Sequence, residues 1–149
     1  MKEEELKKIL YYHKLWVESE GIEGKKANLR GAALHGFHLR YVNLKGANLE
    51  GANLCNTNLR GANLKGANLE DSNLSEAYLV CADLEGANLV GADLSEANLH
   101  NAFLEGAKFT TEIRNVRVLT YCRITKDQLP WLALQPEFSK FYPTLKVFD

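Results

Sequence analysis

Three cysteines and four histidines are the residues of this chain with the widest chemical range. A thiol becomes a nucleophile when a nearby base or a positive setting lowers its pKa, and the sequence places no histidine beside Cys55, Cys81 or Cys122. The three form no Cys-x-x-Cys pair and are odd in number, so neither a disulfide framework nor a zinc site is expected. His35 and His38 stand three residues apart and could share a metal, but no further ligand follows at a fitting spacing. His13 falls on an apolar helical stripe and reads as a packing residue. No enzyme activity, no metal and no cofactor is therefore expected, and function must reside in a surface.

That surface is set by a repeat. Sixteen leucines stand five residues apart from Leu29 to Leu104, and Phe109 takes the seventeenth place, with no insertion. Two residues before each stands a small side chain, alanine in thirteen cases, with Phe37, Val42, Thr57 and Ser72 as exceptions; one residue before stands Asn or Asp twelve times. A period of five fits neither the 3.6 of a helix nor the 2.0 of a strand, so the chain must turn once per repeat. Leu-x-Gly-Ala supplies the turn, because glycine at the third position of a type II turn takes positive φ without penalty. Nine of the seventeen repeats have it. Asn56, Asp71 and Asn101 tolerate that conformation, whereas Tyr41, Glu76, Cys81 and Glu96 would be strained, so those four corners are expected to use another turn. A chain that bends in this way and keeps Leu and Ala inward is a β-solenoid, whose coils pair at about 4.8 Å.

Words such as Ala47-Asn48-Leu49 and Ala62-Asn63-Leu64, recurring over residues 27–109, resemble the pentapeptide-repeat proteins and their pattern Ala-Asn/Asp-Leu-x-x. The resemblance implies an all-β fold: a right-handed quadrilateral parallel β-helix of about four coils, four repeats to a coil, in which residues twenty apart stack in columns. The organisation expected is one structural domain, with an N-terminal capping helix and linker (1–24), the β-helix (25–111) and a C-terminal capping segment with short helices (112–149). Leu6, Ile9, Leu10, His13, Trp16 and Val17 give residues 2–19 an amphipathic stripe able to cover the first coil. Beyond Phe109 the pattern stops; residues 113–118 alternate as a short strand would, and Thr125 to Gln128 resembles a capping box opening a short helix. Trp131, Leu132, Leu134, Phe138, Phe141 and Tyr142 offer apolar area to close the far end.

The outward positions carry polarised charge. Residues 25–65 hold seven basic groups against Glu50, and residues 70–108 hold eight acids against Lys108. Lys45, Lys65, Glu85 and Glu105 would stack in one column. Tyr41, Tyr78, Val80, Val90 and Phe103 break the polar outward pattern and are the candidate protein contacts, unless the C-terminal segment folds back over some of them. The chain reads as a non-catalytic protein–protein interaction module or structural scaffold, monomeric or dimeric through an end of the coil, with another protein as its partner and neither nucleic acid nor membrane expected. No apolar run approaches the roughly 18 residues of a membrane span, and the acidic start MKEEELKKIL is unlike a signal peptide, so the cytoplasm is the expected address. Resemblance also supplies an alternative, since some members imitate DNA and bind type II topoisomerases such as DNA gyrase. A rod of roughly 20 Å would need about twelve net negative charges to match duplex DNA at one per 1.7 Å, whereas this repeat offsets nine acids with eight bases.

Overall fold

The computed structural model describes residues 1–109, 116, 119–128, 130 and 142–149. In a complete five-residue word every amide has its own acceptor, and the word Ala62 to Gly66 shows how. The Ala62 amide closes a turn on the Leu59 carbonyl at 3.0 Å, and Asn63 donates back to Val42 at 2.9 Å. Leu64 and Gly66 donate forward to the carbonyls of Asp83 and Glu85 at 2.7 and 2.8 Å. The fifth amide, that of Lys65, is met by the side-chain oxygen of Asn63 at 3.1 Å. Buried or corner amides without such partners would be costly, so this circuit explains why the asparagines recur. All twelve Asn or Asp residues at this position accept the amide two residues on.

Parallel β-bridges join Asn28 to Asn48, Asn48 to Asn68 and Asn68 to Asn88, with equivalent ladders on the other three sides. The offset is twenty residues, so four repeats make a coil and four columns of leucine fill its centre. Leu34, Leu44, Leu49, Leu54, Leu59 and Leu64 are fully buried with the alanines between them. Strands β1 (Asn88–Leu89) and β2 (Lys108–Phe109) are the places where a bridge widens into a two-residue pair.

The corners differ from expectation at four positions. Tyr41, Glu76, Cys81 and Glu96 were assigned a different turn, yet their φ values are 57°, 58°, 58° and 58°, in the left-handed region with the glycines. The reason lies in the neighbouring coil: the Tyr41 and Cys81 amides donate to Arg60 and His100 carbonyls at 2.9 Å each, as the glycine amides do at their corners. The ladder imposes one turn geometry, and a non-glycine residue there carries a local cost of roughly 1–2 kcal/mol.

Helix α1 (Glu3–Glu18) packs Leu6 and His13 fully inside, with Met1, Ile9 and Leu10 against the core. His13 Nδ1 accepts the Ala27 amide at 3.1 Å, and the ring stacks on Trp16. Burial, and then the charge of Lys26, lowers the His13 pKa, which fits a neutral ring with Nδ1 unprotonated. Gly24 lets the chain return under the helix: its φ is +74°, and a Cβ there would collide with the Tyr12 carbonyl.

Residues 119–124 lie in the phase of the coil. Leu119, Cys122 and Ile124 are buried in the leucine and small-residue places, and Phe103 bridges Arg123 at the same twenty-residue offset. The Cys122 thiol donates to the Leu99 carbonyl at 2.8 Å, and burial pushes its pKa up to about 12. Strand β3 (Arg123–Thr125) pairs in parallel with β4 (Lys146–Phe148), a strand that the sequence did not suggest. Between them, Lys126–Gln128 forms one 3-10 turn; Gln128 accepts the Thr125 amide at 2.8 Å and donates to the Leu104 and Ala107 carbonyls at 2.6 and 2.9 Å. Of the strand expected at 113–118 only Val116 is described. The capping residues Trp131, Leu132, Leu134, Phe138 and Phe141, and the Tyr142 side chain, lie outside the described residues.

Candidate functional site

The twenty-residue register sorts the outward residues into four corners. The first carries Arg40 and Tyr41, Arg60 and Gly61, Val80 and Cys81, His100 and Asn101, and Thr120 and Tyr121 on successive coils. We call it the aromatic corner. The next, the glycine corner, carries Lys45, Lys65, Glu85 and Glu105, each followed by glycine. Diagonally opposite the aromatic corner lie Arg30, Glu50, Glu70 and Val90, and the last corner holds His35, Cys55, Ser75 and Ser95.

Three observations, taken together, mark the aromatic corner. First, Tyr41, Cys81 and Tyr121 hold positive φ at its third-turn positions, with Asn101 beside them, a strain shared with Glu76 and Glu96 at the His35 corner. At the glycine corner the equivalent residues Gly46, Gly66, Gly86 and Gly106 occupy that conformation without a Cβ. Second, His38 and Tyr78, on the side leading into this corner, replace the asparagine that would accept the following corner amide, so the amides of Arg40 and Val80 lose that side-chain acceptor; Ala33 before the His35 corner and Phe103 before the glycine corner do so once each. Third, the exposed aromatic residues of the described coil gather here, with Tyr41, Tyr78 and Tyr121 exposed to 67%, 47% and 48%. Strain and lost hydrogen bonds persist where a side chain is needed for something else.

Of the five sequence candidates, Tyr41, Tyr78, Val80 and Phe103 thus lie along one corner and its flanks. Val90 lies on the diagonally opposite corner, apart from them. Phe103 is half-buried beneath Arg123, 5.1 Å from its ring; Arg123 also lies 4.5 Å from the Phe148 ring and pairs with Glu105 at 2.6 Å. The C-terminal segment therefore does fold back over this one candidate. Sequence reasoning missed Tyr121, whose ring stands edge-on to His100 at 5.6 Å, while His100 Nδ1 lies 2.6 Å from the Thr120 hydroxyl. The signal was available: Tyr121 stands eighty residues after Tyr41, four coils on in the same column.

The corner is also electrostatically distinct, because its columns contain no acid. Tyr41 lies across Gly61, where any Cβ would meet the ring at 2.6 Å, and the Arg40 guanidinium sits 5.5 Å from the ring centre. Arg40, then Arg60, holds the phenol below its ordinary pKa. At the glycine corner, by contrast, Lys65 pairs with Glu85 at 2.6 Å, and at the opposite corner Arg30 pairs with Glu50 at 3.0 Å.

The other reactive side chains are dispersed. Cys81 is exposed and Cys55 half-buried. His35 and His38, both exposed, line a cleft of about 440 Å³ beneath α1 with Leu6, Leu10 and Phe37. Among the described residues no group of three or more His, Cys, Asp or Glu could hold a metal ion, and no helix is long and apolar enough to cross a membrane.

A four-sided coil of five-residue words defines the class, and the family model for pentapeptide repeats matches residues 38–76 and 77–111 with eight copies. The chain belongs to the pentapeptide-repeat family. Similar solved structures include HetL, a pentapeptide-repeat protein involved in heterocyst differentiation regulation in the cyanobacterium Nostoc sp. strain PCC 7120. The two are 34% identical with a TM-score of 0.54, over 66% of this chain and 49% of HetL, so this chain spans about half of HetL's length. The Nostoc protein alr5209 is 28% identical with a TM-score of 0.54, over 93% of each chain. A pentapeptide-repeat protein of the Arabidopsis thaliana thylakoid lumen is 31% identical with a TM-score of 0.45, over 68% of each chain. Comparison with curated proteins gives no match.

Proposed function

We propose that this protein is a non-catalytic protein-interaction module: a right-handed four-sided coil, covered at its first turn by α1, that presents the aromatic corner to a protein partner. Right-handedness rests on the general preference of parallel crossovers. The observation that carries the functional reading is the coincidence of strained Tyr41, Cys81 and Tyr121 with exposed Tyr78 along one corner. Tyrosine and arginine are favoured anchors in protein interfaces, since each gives a large contact area at a modest entropic cost. An acidic DNA-like surface fits less well, because Glu50, Glu85 and Glu105 are each neutralised by a cation.

Crosslinked affinity capture from the native host, with wild-type protein and a Tyr78→Asn/Tyr121→Gly variant in parallel, tests the reading. A partner enriched by the wild type and lost from the variant is expected. A partner captured equally by both would place the interaction elsewhere.

A further inference from the structure

The upper part of the aromatic corner holds two cations with no carboxylate partner among the described residues. Arg40 and Arg60 occupy one column on adjacent coils, about 4.8 Å apart along the ladder, and both are exposed. Among the described residues neither has a carboxylate partner, and neither corner column contains an acid on any coil. Lys45 and Lys65 also stack as like charges at the glycine corner, but there Lys65 pairs with Glu85, as Arg30 pairs with Glu50 at the opposite corner. Tyr41 is fixed between the two arginines because Gly61, the one glycine of this corner, leaves room for its ring. Two guanidinium forks and a phenol on a strained, pre-set backbone form a ready anion clamp. Further along, the chemistry changes to Val80, His100 and Tyr121.

We propose that the aromatic corner binds an extended acidic segment of a protein partner, whose carboxylates lie on Arg40, Tyr41 and Arg60 and whose following apolar residues lie along Val80 and Tyr121. This rests on reading the corner as the interaction surface. Five coil levels span about 19 Å, the length of roughly six extended residues. Nucleic acid fits poorly: about 19 Å of duplex carries on the order of eleven phosphates, against two unpaired arginines here and the eight acids of residues 70–108 beyond them.

Fluorescence anisotropy with a fluorescein-labelled hexapeptide, Glu-Glu-Gly-Leu-Gly-Leu, provides the test, using the full chain. Saturable binding is expected, weakened at least tenfold by Arg40→Ala/Arg60→Ala, weakened at least tenfold when glutamine replaces both glutamates of the peptide, and changed less than twofold by Lys45→Ala on the glycine corner. An Arg40→Lys/Arg60→Lys variant, which keeps both charges and guards against misfolding, is expected to retain an intermediate affinity. No binding, equal binding by the alanine variant or the glutamine peptide, or tighter binding of a twelve-nucleotide oligothymidylate would overturn the proposal. Loss of the natural partner from the Tyr78→Asn/Tyr121→Gly variant, without any effect of the arginine changes on the peptide, would leave the interaction surface standing and remove only its acidic specificity.

Discussion

The aromatic and glycine corners are adjacent edges of the same coil, built on the same hydrogen-bond circuit, and they differ in what occupies it. At the glycine corner Gly46, Gly66, Gly86 and Gly106 take positive φ freely, and Lys65 and Glu85 pair across coils. At the aromatic corner Tyr41, Cys81 and Tyr121 hold the same conformation against steric resistance. One corner is built for stability. The other holds strained non-glycine side chains outward, the feature on which the proposed interaction surface rests.

Exchanging residues between the corners breaks or sharpens this contrast. The largest effect is expected from Gly66→Tyr, which forces a Cβ into φ +64° and should destabilise the protein by about 1–2 kcal/mol, read as a lower urea midpoint. Transplanting a tyrosine at no cost would show that the ladder does not strain its corners. The reverse exchange, Cys81→Gly, should stabilise by about 0.5–1 kcal/mol, relief of strain being partly offset by glycine's larger unfolded-state entropy. A drop in the midpoint would mean that the Cys81 side chain makes contacts worth more than its strain. Tyr78→Asn restores the side-chain acceptor for the Val80 amide, and a gain of about 0.5–1 kcal/mol is expected, together with loss of the captured partner. If stability is unchanged, the asparagine circuit contributes less than its regularity implies. The smallest effect belongs to Lys65→Ala at the glycine corner. That exposed pair should contribute about 0–1 kcal/mol and less in high salt; a thermal midpoint that falls by many degrees would reveal an unexpectedly strong ladder.

Much of the fold was legible in the sequence because period five admits few solutions: Leu29 to Leu104 had to face inward, and the chain had to turn after each. The number of repeats per coil came from resemblance, and the bridges from Asn48 to Asn68 and onward bear it out. Turn geometry at Tyr41, Glu76, Cys81 and Glu96 was misread because local preference was weighed without the cooperative ladder that overrides it. The place of Leu119 in the coil's phase was not legible because residues 110–118 contain neither the leucine nor the alanine that mark it. Cys122 and Ile124 keep that phase nonetheless. The corner itself was only half legible: aromatic outliers showed in the one-dimensional pattern, but Arg40, Arg60 and Tyr121 joined them only when residues twenty apart were stacked.

A photoreactive phenylalanine analogue placed in turn at Val80, Glu85, Val90 and Ser95 samples the four corners of a single coil at one height, one after another. Irradiation in the native host should give a discrete protein adduct chiefly from position 80 and none from 90, with at most weak ones from 85 and 95 on the two neighbouring corners. An adduct chiefly from position 90, or equal adducts from all four, would contradict the assignment of the aromatic corner as the binding surface.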